Sequence, residues 1–261
     1  MIDVIIPAYN CSITLDRTLS SLVSQTDKDF KVTLVDDCSN ENLYPIIKRY
    51  KELLNINYIK NIENVGCGMS RQVGIDNTCC SHFTFLDSDD VFMPYTIETF
   101  NSIVKSNPNI ELIHSYIYKQ EIINGDPALI TIKDGFSYCH GKLYNRELVD
   151  RFKIRNSPTV KWHDDSYFNS MCMELFDMQV IGIPTMLWCL NPTSITRKID
   201  KKRDAMARKD FLKAMCMSKD LVLKYKDSVE HIPMTIEIML KNSKKEFDEE
   251  EKELLNYLKG E

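Results

Sequence analysis

No uninterrupted apolar run in this sequence approaches the ~20 residues that a bilayer-spanning helix needs, so no transmembrane helix is expected. The opening residues, Met1 to Asn10, carry an acid at position 3 and only a short apolar stretch, which does not read as a secretion signal. A surplus of positive charge is also missing. Lys plus Arg total 33 against 38 for Asp plus Glu, a net charge of -5, which excludes the broad basic footprint of a protein that grips long nucleic acid. Nine cysteines are scattered without a CxxC pair, which argues against a thioredoxin-like redox motif or a structural zinc site. Several lie in apolar stretches and read as small hydrophobes of a reducing, cytoplasmic compartment. Peripheral contact with a membrane surface is compatible with this composition. Internal repeats and long low-complexity tracts are absent as well, which excludes a solenoid.

What is present suits one moderately large domain, or one domain with a small appendage: 261 residues, of which 43% are apolar and 27% charged. Over the first hundred residues the hydrophobic period alternates. Ile2 to Ala8, Phe30 to Val35, Ile56 to Ile59 and His82 to Leu86 read as strands. Between them fall helical patterns carrying Leu15, Leu19, Leu22 and Val23, then Leu43, Ile46, Ile47, Tyr50, Leu53 and Leu54, then Met69 to Cys79. Pro94 suits the first turn of a further helix that turns Phe100, Ile103 and Val104 inward. This alternation implies an α/β fold with a mainly parallel sheet covered on both faces.

After about residue 108 the pattern changes. Glu111 to Tyr118, Gln120 to Ile123 and Ala128 to Ile132 read as short strands around the turn signal Asn124-Gly125-Asp126-Pro127. Asp165 to Phe176 reads as an amphipathic helix, and Val180 to Ile183 and Thr185 to Leu190 as strands. From Asp200 onward the chain reads as a charged helical extension, with Met206, Phe211, Met215, Leu221, Val222 and Tyr225 inward and a last segment holding Phe247, Leu254, Leu255 and Leu258. The expected division is 1–108, 109–199 and 200–261.

Three of the first four strands end in polar clusters: Tyr9-Asn10, Asp36-Asp37 and Asp87-Ser88-Asp89-Asp90. In a parallel sheet these ends meet at the carboxyl edge, where ligands bind. A DxD turn after a buried strand can direct carboxylates at one hard cation, Mg²⁺ or Mn²⁺, which would neutralise a diphosphate. In isolation, the same tetrapeptide reads as a solvated acidic turn. One carboxylate of Asp36-Asp37 can accept hydrogen bonds from a base or ribose while the other caps the next turn. Tyr9 either contacts a base or fills the sheet edge. Asn64 to Arg71 is a glycine-rich turn into a helix, but Arg71 occupies the third glycine position of a dinucleotide fingerprint. Arg71 is therefore read as a donor toward phosphate or as a partner of nearby carboxylates. In Trp162-His163-Asp164-Asp165 the carboxylates open a helix, either as N-terminal caps or with one as general base. His163 is a rival base or ligand. His82, His114, His140 and His231 show no ligand spacing among themselves and read as structural or surface residues.

Taken together, these segments resemble the inverting GT-A glycosyltransferases of glycosyltransferase family 2. The resembling pieces are VIIPAYN at 4–10, LVDDCSN at 34–40, NVGCGMSRQVGI at 64–75, FLDSDDVF at 85–92, HGKLYNRELV at 140–149 and HDDSYF at 163–168. They cover the first two thirds of the chain in family order. The resemblance implies a Rossmann-like nucleotide-sugar half, an acceptor half and a divergent C-terminal extension. It points to Asp37 as a base contact, to Asp87 and Asp89 as the DxD positions facing ribose and metal, with Asp90 assisting, and to Asp165 as catalytic base beside Asp164. Pro7, Tyr9, Asp37, Arg71, Asp87 and Ser88 make up the candidate donor-binding set; Asp89, Asp87 and Asp90 make up the metal set. Two departures stand out: Gln72 replaces the usual Asn after the arginine, and Asp164 replaces the usual Glu.

The implied activity is metal-dependent, inverting transfer of a sugar, a hexose being expected, from a nucleoside-diphosphate donor, UDP foremost, to an acceptor hydroxyl. The acceptor, whether glycan, glycolipid, protein or modified nucleic acid, is not legible, nor is the oligomeric state. The competing classes are a nucleotidyltransferase-like enzyme, which would release diphosphate rather than a nucleoside diphosphate, and an inactive nucleotide-sugar-binding module.

Overall fold

The structure, a computed structural model, describes residues 1–123, 126–136, 138–160, 163–190, 201–242 and 247–260. Trp162, the Asn124-Gly125 half of the expected turn and the expected boundary at residue 200 lie outside them.

The chain opens β1 (Ile2–Ala8), α1 (Ser12–Val23), β2 (Phe30–Asp36), α2 (Tyr44–Lys51), β3 (Ile56–Lys60), α3 (Cys67–Asn77) and β4 (His82–Phe85). All seven residues of β1 are buried, because helices cover both faces of the sheet, and a strand with two buried faces reads as a continuous apolar run. Its side chains still alternate. Ile2, Val4, Ile6 and Ala8 join Leu15, Leu19 and Leu22 of α1 and Ile47 of α2, whereas Ile5 points to Ile75 of α3 on the opposite face. Gly74 lets α3 approach β1 closely, since a Cβ there would come within 2.3 Å of Ile5 Cγ2.

Next come β5 (Val91–Phe92), α4 (Thr96–Ser106), β6 (Leu112–Ile123), β7 (Asp126–Lys133), β8 (Lys142–Asn145), α5 (Arg146–Arg151), α6 (Asp164–Leu175) and β9 (Met178–Trp188). One nine-stranded sheet runs β3-β2-β1-β4-β8-β6-β9-β5, with β7 on β6. Strands β1 to β4 pair in parallel, as the alternation predicts. The second half adds antiparallel pairs of β8 with β4 and β6, so the sheet is mixed beyond β4. The antiparallel turn brings the residues before β8, Cys139 and His140, toward the carboxyl end of β4.

Several boundaries differ from the sequence reading. The segments around Tyr118 and Gln120 form one twelve-residue strand, β6, stabilised by β9 on one side and by β8 and β7 on the other. The two expected strands around Pro184 are likewise one, with the irregularity taken up as register shifts against β6. Pro94 precedes α4, which starts at Thr96, and α3 starts at Cys67 rather than Met69. Strand β8 and helix α5 had no period of their own to reveal them.

The extension forms α7 (Lys201–Val222), α8 (His231–Asn242) and α9 (Glu249–Lys259). Phe211, Met215 and Val222 of α7, Ile232 and Ile236 of α8, and Leu255 and Leu258 of α9 share one core with Phe83, Phe85 and Tyr144 of the sheet and Phe168 of α6. Met206 and Tyr225, expected inward, are 70% and 49% exposed. Arg208 and Glu251 form a buried ion pair that ties α7 to α9. No helix among the described residues is long and apolar enough to cross a membrane, and all nine cysteines are free thiols.

Candidate active site

The polar ends of β1, β2 and β4 meet at one edge. Asp37 donates its N–H to the Ala8 carbonyl at 2.8 Å. Asn10, held in the left-handed region at φ 47°, accepts at its side-chain oxygen from the Asn40 amide at 2.9 Å. Tyr9 projects outward at 42% exposure, while Pro7, next to last in β1, lies opposite Val35. The two aspartates after β2 have separate tasks. Asp36 accepts from Ser39 N–H and the Tyr58 hydroxyl, both at 2.8 Å. Burial would raise its pKa, but those hydrogen bonds hold it below the ordinary value. Asp37 accepts from Asn61 and from the Val65 amide at 2.9 Å each, and from the Gly66 amide at 2.8 Å. A carboxylate has about four acceptor positions, so one remains for a ligand.

That fixed loop launches α3. Gly66 takes φ 90°, a conformation that costs glycine little. Gly68 then leaves room for α6: a Cβ on it would lie 2.9 Å from Asp164 Cβ. Arg71, one turn further along α3, is buried and forks between two carboxylates. It donates to Asp87 at 2.7 Å and to Asp164 at 2.6 Å.

The turn after β4 is held from several directions. Asp90 donates its N–H to the Asp87 carbonyl at 3.0 Å. Its carbonyl accepts from Thr18 of α1 at 2.8 Å, and its Oδ1 accepts from the Cys189 amide at 2.8 Å. The Asp89 carbonyl accepts from Arg17. Ser88, between them, is half-buried.

His140, assigned a structural or surface role on sequence, sits inside this site. Its Nε2 lies 3.3 Å from Asp87 Oδ2 and 3.5 Å from Asp90 Oδ2. Its ring stacks on Trp188 at 5.5 Å between centroids and 14° between planes. On the far side, Asp165 in the first turn of α6 groups with Cys139 and His140, one donor atom from each lying within 4.8 Å of the others. His163 takes φ 57° as it enters α6 and packs on Phe211 at 5.6 Å; it belongs to neither ligand group among the described residues.

The electrostatics follow from crowding. Burial would lift Asp87, but Arg71 and His140 outweigh it and hold this carboxyl far below its usual range. Burial would lower the His140 imidazolium, yet Asp87, Asp90 and Asp165 keep it above the ordinary value. Asp90 is pushed well up by burial, helped by Asp87 and Asp89 against His140. Burial raises Asp164 to about 6 against the pull of Arg71, with Asp165 and Asp87 adding to the rise.

The fit to a divalent cation can be judged on these atoms. Asp87, Asp90 and His140 offer ligand atoms within 4.8 Å of one another. Asp90 Oδ2 is buried without a hydrogen-bond partner, an arrangement costly unless something else satisfies it. Four carboxyl groups, Asp87, Asp90, Asp164 and Asp165, crowd around Arg71 and His140, so carboxyls outnumber these two cations. Oxygen and imidazole donors of this kind suit Mg²⁺ or Mn²⁺. The residues fit such an ion. The group holds Asp87 and Asp90 of the expected set together with His140; Asp89 belongs to neither ligand group among the described residues.

Such a sheet with carboxylates at its carboxyl edge defines a GT-A glycosyltransferase architecture. The chain belongs to glycosyl transferase family 2, whose family model matches residues 3–177. An uncharacterised glycosyltransferase of Haemophilus influenzae is 33% identical over 157 residues, covering 60% of this chain and 49% of that protein. The poly(ribitol-phosphate) β-N-acetylglucosaminyltransferase TarP of Staphylococcus aureus strain N315 is 28% identical over 183 residues, covering 64% and 55%. The chain thus spans about half the length of these curated relatives. In fold it is similar to S. aureus TarS 1-349 in complex with UDP-GlcNAc, with a TM-score of 0.74 at 19% identity over 92% of this chain and 71% of that one. It is also similar to the mannosyltransferase PcManGT of Pyrobaculum calidifontis in complex with GDP-Man and Mn²⁺, with a TM-score of 0.62 at 12% identity, covering 99% and 73%.

Proposed function

We propose that this chain moves a sugar, most simply a hexose, from a nucleoside-diphosphate donor, UDP-sugar foremost, to an acceptor hydroxyl with inversion. Residues 1–108 are read as the donor half, 109–199 as the acceptor half and 200–261 as a helical support. The observation that carries the reading is the Arg71 bridge between Asp87 and Asp164. It ties the donor-side turn after β4 to the start of α6, where Asp165 stands.

Each residue has a task on this reading. Tyr9, Pro7 and the remaining acceptor capacity of Asp37 receive the base. Ser88 and Asp87 face the ribose and diphosphate. Asp87, Asp90 and His140, with Asp89 beside them, hold Mn²⁺ or Mg²⁺. When bound, that ion supplies positive charge against the leaving diphosphate. Arg71 keeps Asp87 ionised and fixes Asp164. Asp164 in turn aligns the first turn of α6. Asp165 then takes the proton of the acceptor hydroxyl as its oxygen attacks the anomeric carbon from the face opposite the diphosphate. A single displacement of this kind inverts the centre and needs no enzyme nucleophile.

The fold of TarS, crystallised with UDP and UDP-GlcNAc, supports the donor class. Calorimetry with UDP, GDP and ADP, with and without Mn²⁺, tests donor binding; cation-tightened binding of UDP is expected. Asp165→Asn is expected to keep that binding and lower transfer by roughly 10²–10⁴-fold, the usual range for a general base. Near-wild-type transfer by this variant, or collapse with Asp164→Asn alone, would move or remove the assignment.

A further inference from the structure

His140 belongs to two ligand groups of different chemistry. With Asp87 and Asp90 it forms the oxygen-rich group already described. With Cys139 and Asp165 it forms a second, in which a thiol, an imidazole and a carboxylate converge within 4.8 Å of one another. A thiolate changes the preference. Sulfur donors favour Zn²⁺ and similar soft or borderline cations over Mg²⁺ and Mn²⁺. Three protein ligands with an open fourth position make a sufficient zinc set.

The local structure prepares these ligands. Cys139 and His140 are buried at 1% and 5% exposure, and Asp165 is half-buried. Nε2 of His140 faces Asp87 and Asp90, while its buried Nδ1 has no hydrogen-bond partner among the described residues. The segment carrying Cys139 and His140 is clamped from below. The fully buried Lys142 donates to the Gly135 carbonyl at 3.0 Å and also to the Tyr138 carbonyl. Trp188 backs the imidazole.

We propose that Cys139, His140 and Asp165 form a second, thiophilic metal site, and that Zn²⁺ bound there blocks sugar transfer. The binding half stands on the donor atoms alone. The inhibitory half rests on the reading of Asp165 as general base: a carboxylate that ligates Zn²⁺ cannot accept the acceptor's proton. His140 is shared, so zinc also withdraws a ligand from the Mn²⁺ or Mg²⁺ group. The thiol proton passes to solvent as Sγ binds the ion.

The test uses the full chain with Co²⁺ as a spectroscopic stand-in for zinc. Exposed Cys67 and Cys79 are first changed to serine to remove competing surface thiols. A thiolate-to-cobalt charge-transfer band is expected, displaced by added Zn²⁺. Cys139→Ala should abolish it, and Cys139→Val repeats the test in case the smaller side chain unfolds the site. Asp87→Asn should keep it. Absence of the band in the parent, or its persistence in both Cys139 variants, overturns the site. With a competent donor and excess Mn²⁺, Zn²⁺ should inhibit the parent, and Cys139→Ala should need at least about tenfold more Zn²⁺ for half-inhibition. Cobalt binding through Cys139 without zinc inhibition would overturn the regulatory half alone. The spectroscopic arm needs no turnover, so it decides the site even if no donor is transferred.

Discussion

Replacing Arg71 by methionine probes the centre of the site, because it removes the charge while keeping a long apolar side chain. Arg71 is 3% exposed and is the cation shared by Asp87 and Asp164, at 2.7 and 2.6 Å. Taking one partner from a buried ion pair costs about 3–5 kcal/mol, since the remaining charge is left without compensation. The two carboxylates keep 27% and 15% of their side-chain exposure, so water takes over part of the solvation. The low end of the range, about 3 kcal/mol, is therefore expected. For a chain of this size each kcal/mol moves the melting temperature by roughly 2–4 °C, so Arg71→Met should melt about 6–12 °C lower. Calorimetry or thermal circular dichroism at pH 7 reads this directly. Arg71→Lys should recover only part of the loss, because a single ammonium cannot reproduce the two-pronged guanidinium contact. Adding Asp87→Asn to Arg71→Met removes one of the two orphaned charges and should recover part of the lost stability. A melting temperature unchanged in Arg71→Met, or a double variant no more stable than the single, would show that Arg71 does not hold this site together.

Two further outcomes concern Asp164 and Gly74. Asp164 is raised from 3.8 to about 6, so between those pH values the native state binds more protons than the unfolded chain. By linkage its contribution to stability is greatest below about pH 4 and declines as pH rises to about 6, by at most about 3 kcal/mol. The stability difference between wild type and Asp164→Asn, followed by urea denaturation across that window, should fall accordingly; a flat difference refutes the raised carboxyl. In Gly74→Ala the new Cβ would meet Ile5 Cγ2 at 2.3 Å. Overpacking of about 1–3 kcal/mol, less up to ~1 kcal/mol of helix propensity, predicts a net loss that Ile5→Ala partly relieves. A Gly74→Ala protein as stable as wild type would show that α3 or Ile5 shifts freely.

The parallel half was legible because each strand is short, apolar and followed by a helix with its own period. The three polar clusters could then be placed at one edge from topology alone. What lay beyond residue 108 was harder for identifiable reasons. Strand β9 contains Gly182 and Pro184, which look like a break, yet β6 pairs with it on both sides of the irregularity and carries it through. Strand β8 is four residues long, below the length at which alternation can be recognised. His140 was missed because its partners are remote: it meets Asp87 across 53 positions, and no local spacing reports such a contact. Arg71 meets Asp164 across 93 positions, but each lay in a segment already marked, Arg71 by the glycine-rich turn into its helix and Asp164 by carboxylates at a helix start. The available signal for His140 was its place at the head of HGKLYNRELV, one of the segments that carry the family resemblance.

The charge pattern also bears on how an acidic protein would take an acidic donor. Arg71 and His140 are each spread over more than one carboxylate, so neither is free to receive a phosphate without releasing a partner. A diphosphate brought in alone would add its own negative charge beside this group of carboxyls, where burial weakens screening. On the proposed reading, donor and cation must therefore enter together, or the cation first. The affinity of UDP should depend on Mn²⁺ more steeply than on bulk salt, because the ion acts inside the carboxylate group and salt acts on the exposed surface. On the same reading, positive charge arriving beside His140 would also satisfy the Asp90 oxygen that is buried without a hydrogen-bond partner.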